Sequence, residues 1–141
     1  DGTTTTTATI TVTVTGVNDS PVANDDLGAV DEDATLTVST ASSGVTQNND
    51  TDPDTDDTAS TLVVNQITPN GGSASSVSSG TTYSNGTSVT GTYGTLTIGA
   101  NGTYTYVANQ SAADDLDAGD TATDVFTYRV TDTTGATATP Q

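Results

Sequence analysis

The sequence predicts an all-β sandwich, and three observations predict it. Several short stretches alternate apolar and hydroxyl-bearing residues at the two-residue period of a strand, as in ATITVTVT over residues 8–15 and VFTYRVT over residues 125–131. Turn signals separate these stretches, among them Pro69-Asn70-Gly71-Gly72 and Asn101-Gly102. Helical periodicity is absent, and short strands divided by turns bury their apolar faces best as two packed antiparallel sheets.

The first strand is the clearest. Ala8, Ile10, Val12 and Val14 share one face, and Thr9, Thr11, Thr13 and Thr15 carry hydroxyls on the other. Residues 21–26, PVANDD, read as a short extended piece, and Asp31-Glu32-Asp33 leads into a strand over residues 34–39 with Leu36 and Val38 inward. Residues 40–60 are expected to form a long acidic loop, too polar for a core. TLVVNQIT, residues 61–68, reads as a well-buried strand, and the serine-rich residues 73–80 as an edge strand or a loop. Hairpin strands follow over residues 87–93, 94–98 and 103–107, the last two joined by the Asn101-Gly102 turn. A second acidic loop covers residues 114–124. The last full strand is 125–131, and a further one begins at 136–139.

Charge sets the main physical problem. Eighteen acids, all Asp except Glu32, face one base, Arg129, for a net charge of −17, so almost no carboxylate finds an ion-pair partner. Leu, Ile, Val and Phe together make only 23 of the 141 residues, a composition that by itself describes a disordered chain. A chain of this kind folds more readily if a divalent cation neutralises its carboxylates. Nucleic acid and anionic lipid are excluded as partners, since both need Lys or Arg clusters. No apolar run reaches membrane-spanning length, so no membrane insertion is expected. The absence of Cys excludes disulfides. No signal peptide is visible, and the chain reads as a mature or excised piece. Catalysis has little to work with: without His, Cys or Lys the candidate groups shrink to Asp, Ser and Tyr, and no Ser lies in a nucleophile-elbow context. The chain is expected not to be an enzyme.

Calcium takes six to eight oxygen ligands, and Asp50, Asp52, Asp54, Asp56 and Asp57 offer that density in one loop. The loop is not an EF-hand, because counting from Asp50 the sixth position is Thr55 and the twelfth Thr61. The alternative is a solvated loop whose aspartates cap turns. A second candidate set is Asn18 and Asp19 with Asp25, Asp26 and Glu32. A third, Asp117 and Asp120 with Asp114, Asp115 and Asp124, stands open between a metal site and a solvated loop. Arg129 is expected to be exposed and paired with a carboxylate. The tyrosines are expected in the core or in cross-strand pairs, with a sugar-stacking platform as the alternative.

The start and the end of the chain echo one another: DGTTTTTAT at residues 1–9 and DTTGATAT at 132–139. Joined on paper, they give VFTYRVTDTTGATAT-ITVTVTGVNDSPVA, as though one period of a tandem array had been opened just before its final strand. That string, with YGTLTIGANGTYTYVAN over residues 93–109 and NDTDPD over 49–54, resembles the VCBS repeat, a cadherin-like sandwich domain found in tandem in large RTX-type bacterial surface adhesins. The resemblance implies an immunoglobulin- or cadherin-like sandwich in an extracellular, cell-surface adhesion or stalk module with bound calcium. Asn18-Asp19-Ser20-Pro21 resembles the cadherin linker motif.

The expected organisation is therefore an N-terminal strand over residues 1–15, a linker over 16–21 and a sandwich over 22–141 that lacks its own last strand. Residues 16–20 span at most ~18 Å, whereas a sandwich strand alone runs ~17–20 Å before its end loops are counted. The strand is thus expected to be donated to a neighbouring copy, giving a head-to-tail homopolymer. The alternative is that it frays or belongs to a preceding repeat. Three functional readings follow: a calcium-stiffened structural unit, a glycan- or surface-binding module, and a passive tandem spacer.

Overall fold

A computed structural model describes residues 1–140, and in it the chain folds as two four-stranded antiparallel sheets facing one another. The first sheet has the order β1-β6-β5-β4, with β1 Thr35–Val38, β4 Thr87–Thr90, β5 Thr95–Ile98 and β6 Tyr104–Val107. The second has the order β3-β2-β7-β8, with β2 Val63–Pro69, β3 Ser75–Ser76, β7 Phe126–Thr131 and β8 Thr137–Ala138. The all-β sandwich expected from alternation is the fold. Gln141, included in the expected domain, lies outside the described residues.

The core is where the inward faces meet. Val89, Leu96 and Ile98 from the first sheet pack with Val64, Ile67, Tyr128 and Val130 from the second. Alternation alone cannot place Val64 and Ile67 on the same face, since they are three apart. The register shifts between Val64 and Gln66 against β7, and this bulge at Asn65 turns both aliphatic side chains inward. Tyr106 and Phe126 cross edge to face with ring centroids 6.1 Å apart, closing one side of the core.

Two poles follow from the strand directions. Val64 N donates to Ala100 O (2.9 Å), so the start of β2, the end of β7 and the β5–β6 turn lie at one pole. There Asn101-Gly102 makes the expected turn, with Gly102 at φ +79°. At the opposite pole Asp124 grips the β4–β5 hairpin: its carboxylate accepts from the backbone N–H groups of Thr92 (2.7 Å), Tyr93 (3.0 Å) and Gly94 (3.0 Å), and from the Tyr106 hydroxyl (2.6 Å). This aspartate of the second acidic loop is a structural cap.

Two expectations change, those for the 40–60 loop and for Arg129, while the donated strand is not tested by a single chain. The loop over residues 40–60 contains a 3₁₀ turn, Ala41–Ser43, and a short helix α1, Val45–Asn49; another, α2, covers Ser111–Asp114. One turn of helix is too short to show a period in sequence. Residues 1–20 form no strand, and Ile10, Val12 and Val14 are 89%, 76% and 89% exposed. Arg129 is half-buried, and its Nε donates to the Asn65 amide (2.9 Å), not to a carboxylate. No helix among the described residues is long and apolar enough to cross a membrane.

Candidate functional site

The acidic loop that sequence treats as one cluster divides between two hydrogen-bond networks. The first surrounds Tyr128. Burial of β7 brings its hydroxyl to Asn24 O (2.8 Å), Asp26 Oδ2 (3.1 Å) and both oxygens of Asp50 (3.2 Å each). A hydroxyl carries one hydrogen, so most of these oxygens face it without a proton between them. Asp50 is only 1% exposed and also accepts from Asn24 N (2.7 Å); Asp26 accepts from Asn48 Nδ2 (3.1 Å). Burial pushes the Asp50 carboxyl up to about 6 and raises Asp26 too, each carboxylate adding repulsion to its neighbourhood. Burial and the two carboxylates likewise hold the Tyr128 hydroxyl well above the usual phenol range. Asp25 lies alongside, its backbone oxygen accepting from Asn49 Nδ2 (2.9 Å).

The second network is at the pole where β7 ends and the chain enters the domain. Asn18 Nδ2 donates to Asp132 Oδ2 (2.9 Å), and Asp19 N donates to Asp54 Oδ2 (2.7 Å). Asp54 N in turn donates to Asp52 Oδ1 (2.9 Å), and Thr133 N to Asp57 Oδ1 (3.1 Å). The other oxygen of Asp132 gathers four donors from the β7–β8 turn: Thr134 N and Oγ1, Gly135 N and Ala136 N. Asn18 and then these turn donors hold the Asp132 carboxyl down to about 2. Asp52 Oδ2 and Asp57 Oδ2 are buried acceptors with no hydrogen-bond partner. An orphaned buried carboxylate oxygen is costly unless a cation meets it.

These donors are hard oxygens, the kind calcium takes. Their placement is looser than a finished site: among the described residues no three acidic side chains converge on one point. The remaining expected ligands lie apart from both networks. Asp56 is exposed, Glu32 is exposed on the turn before β1, and Asp117 and Asp120 close a small turn of their own, with Asp120 N bonded to Asp117 O (2.8 Å). Asp132, which sequence reasoning missed, is the most heavily bonded acid of the second network. Its Asp-Thr-Thr-Gly context had the look of an ordinary turn.

Comparison with known families decides the identity. A family model described as the bacterial cadherin-like domain matches residues 18–141. The chain belongs to the bacterial cadherin-like domain family. The match to the cadherin-like domain begins at Asn18, the first residue bonded into the second network, and leaves residues 1–17 outside it. No curated protein and no solved structure matches the chain. Domains of this family occur in bacterial surface proteins as adhesion or structural modules.

A different kind of site lies on the second sheet of the cadherin-like domain. β7 is paired on one side with β2 over its whole length, from Phe126 to Thr131. On its other side β8 covers only Val130 and Thr131. A cleft of about 300 Å³ opens at the end of β8, lined by Pro21, Val22, Ala23, Ala138 and Thr139.

Proposed function

We propose that this cadherin-like domain is a structural unit of an extracellular bacterial adhesin or filament, joined head to tail by donating residues 8–15 to the next copy and stiffened by calcium where the linker enters the sandwich. The observation that carries this reading is the exposed aliphatic ribbon: Ile10, Val12 and Val14 stand almost wholly in water, beside a domain whose last strand has two residues. Burying each such side chain is worth ~1.5–3 kcal/mol, and strand addition also satisfies an edge of unpaired backbone groups.

Calcium would be held at the linker pole by Asp52, Asp54, Asp57 and Asp132 with Asn18 and Asp19, the group that contains the two orphaned carboxylate oxygens. Bound there, the ion supplies positive charge to acids from the linker, the 50–57 loop and the β7–β8 turn. The pole closes around it, since the acids do not converge beforehand. A joint tied in this way is stiff; without the ion, like charges hold it apart.

Sedimentation velocity and thermal unfolding test the reading on the full chain and on a chain lacking residues 1–15, each with calcium and with EDTA. The expected result is concentration-dependent assembly of the full chain, none of the truncated one, and a calcium-dependent rise in Tm for both. Equal assembly of the two chains overturns strand donation. An unchanged Tm in EDTA overturns the role of calcium.

A further inference from the structure

From the register of β8 we infer that the acceptor is the open edge of β7, residues 126–129, and that a second copy's ribbon docks there antiparallel with Ile10 opposite Tyr128, Thr11 opposite Thr127 and Val12 opposite Phe126. The inference rests on the strand-donation reading and specifies its partner surface.

The register comes from two independent observations. Ala138 pairs with Val130 and Thr137 with Thr131, so the next positions of that strand fall opposite Arg129, Tyr128, Thr127 and Phe126. Thr139 falls at the first of these but is not itself paired, since β8 ends at Ala138. Pro140 cannot continue the ladder, because it has no backbone N–H to give. The sequence echo then sets which residue follows: Ala138-Thr139 corresponds to Ala8-Thr9, so Ile10 takes the place that Pro140 cannot fill.

Side-chain direction checks the result. Directly paired residues in a sheet point to the same face. Tyr128 is buried, Phe126 packs against the core, and Ala138 packs inward from β8. Ile10 and Val12 therefore turn into the sandwich, and Thr11 and Thr13 turn to water beside exposed Thr127. A one-residue slip would put threonines inward and the aliphatics in solvent. The ladder uses Ile10 and Val12, carries Val14 just past the start of β7, and leaves Ala8 outside, its place being held by Ala138.

The same chain cannot fill its own edge in this register. Asn18 is tied to Asp132 at the end of β7, while Val14 would lie beyond the start of β7, opposite Asp124. The strand Phe126–Thr131 alone is ~17 Å long, and the four residues from Val14 to Asn18 reach at most ~14 Å. Only a parallel alignment could close on itself. A second copy meets the requirement without strain, and the direction is productive: the donated strand ends near the pole of the acceptor marked by Asp124, where the donor's own linker pole must then sit.

Disulfide mapping tests the register. A chain carrying Thr127→Cys is mixed with a mass-tagged chain carrying Thr9→Cys, Thr11→Cys or Thr13→Cys, oxidised, and resolved on a non-reducing gel. Every substituted residue is exposed, so folding is preserved. The expected result is a mixed-chain dimer with Thr11→Cys, at least fivefold above the other two. A maximum at Thr9→Cys or Thr13→Cys overturns the register and leaves donation standing. No mixed dimer with any partner, together with a single chain of Thr11→Cys and Thr127→Cys that closes as a monomer, overturns both.

Discussion

Replacing Asp124 with Ala removes one side chain and strands four donors. Thr92 N bonds Oδ1, while Tyr93 N, Gly94 N and the Tyr106 hydroxyl all bond Oδ2. A hydrogen bond to a charged acceptor contributes ~1.5–3 kcal/mol when buried. Asp124 is half-buried, so water replaces part of each bond, and the expected loss is ~2–4 kcal/mol in all. For a domain of this length a loss of 1 kcal/mol lowers Tm by ~3 °C, which gives a fall of ~6–12 °C. Asp124→Asn is the informative control. Its single oxygen can take the three-donor position of Oδ2, leaving only Thr92 N unmatched, so it loses ~1 kcal/mol and ~3 °C. Thermal unfolding followed by near-UV circular dichroism reads both. A fall below ~2 °C for Asp124→Ala, or equal falls for the two variants, refutes the view that this carboxylate holds the hairpin.

Asp50 makes the metal-free protein sensitive to pH. Its carboxyl titrates at about 6 folded against 3.8 as the ordinary value, so between these the folded chain holds the extra proton. Stability in EDTA is therefore fully present below about pH 4 and is lost as pH rises through 6, and Asp50→Asn flattens this limb in urea melts. Asp132 has the opposite sign: depressed to about 2, it contributes stability above pH 4 that disappears as pH falls through its folded value. Asp132→Asn therefore removes an acid-side transition that the parent chain shows. Gly102→Ala puts a Cβ 2.8 Å from Thr46 Oγ1 at a φ of +79°, and the left-handed conformation alone costs a residue with a side chain ~1–2 kcal/mol. The urea midpoint drops accordingly, and an unchanged midpoint would show that the β5–β6 turn relaxes freely.

The hairpins were legible because their signals are local. Leu96 and Ile98 alternate with threonines, Asn101-Gly102 marks the turn, and Phe126, Tyr128 and Val130 alternate within one strand. What escaped is set by contacts far apart in sequence. Nothing in TLVVNQIT announces a bulge at Asn65, which exists because β7 lies beside it. Composition could not distinguish Asp50, buried against Tyr128, from Asp56 in water six residues later in the same run of acids. Asp132 gave no sign that its oxygen would collect a whole turn of N–H groups. Alternation over residues 8–15 describes a strand but is silent about whose sheet it joins, and within one chain those residues join none.

The abundance of aspartate has a colloidal consequence. A molecule with an open sheet edge and a bare aliphatic ribbon is a hazard at high concentration, since any exposed edge can template another. Seventeen units of net negative charge keep copies apart in dilute salt. That repulsion shrinks to a range of ~10 Å at 0.1 M ionic strength and less in brine, so added salt lowers the barrier that keeps exposed edges from meeting.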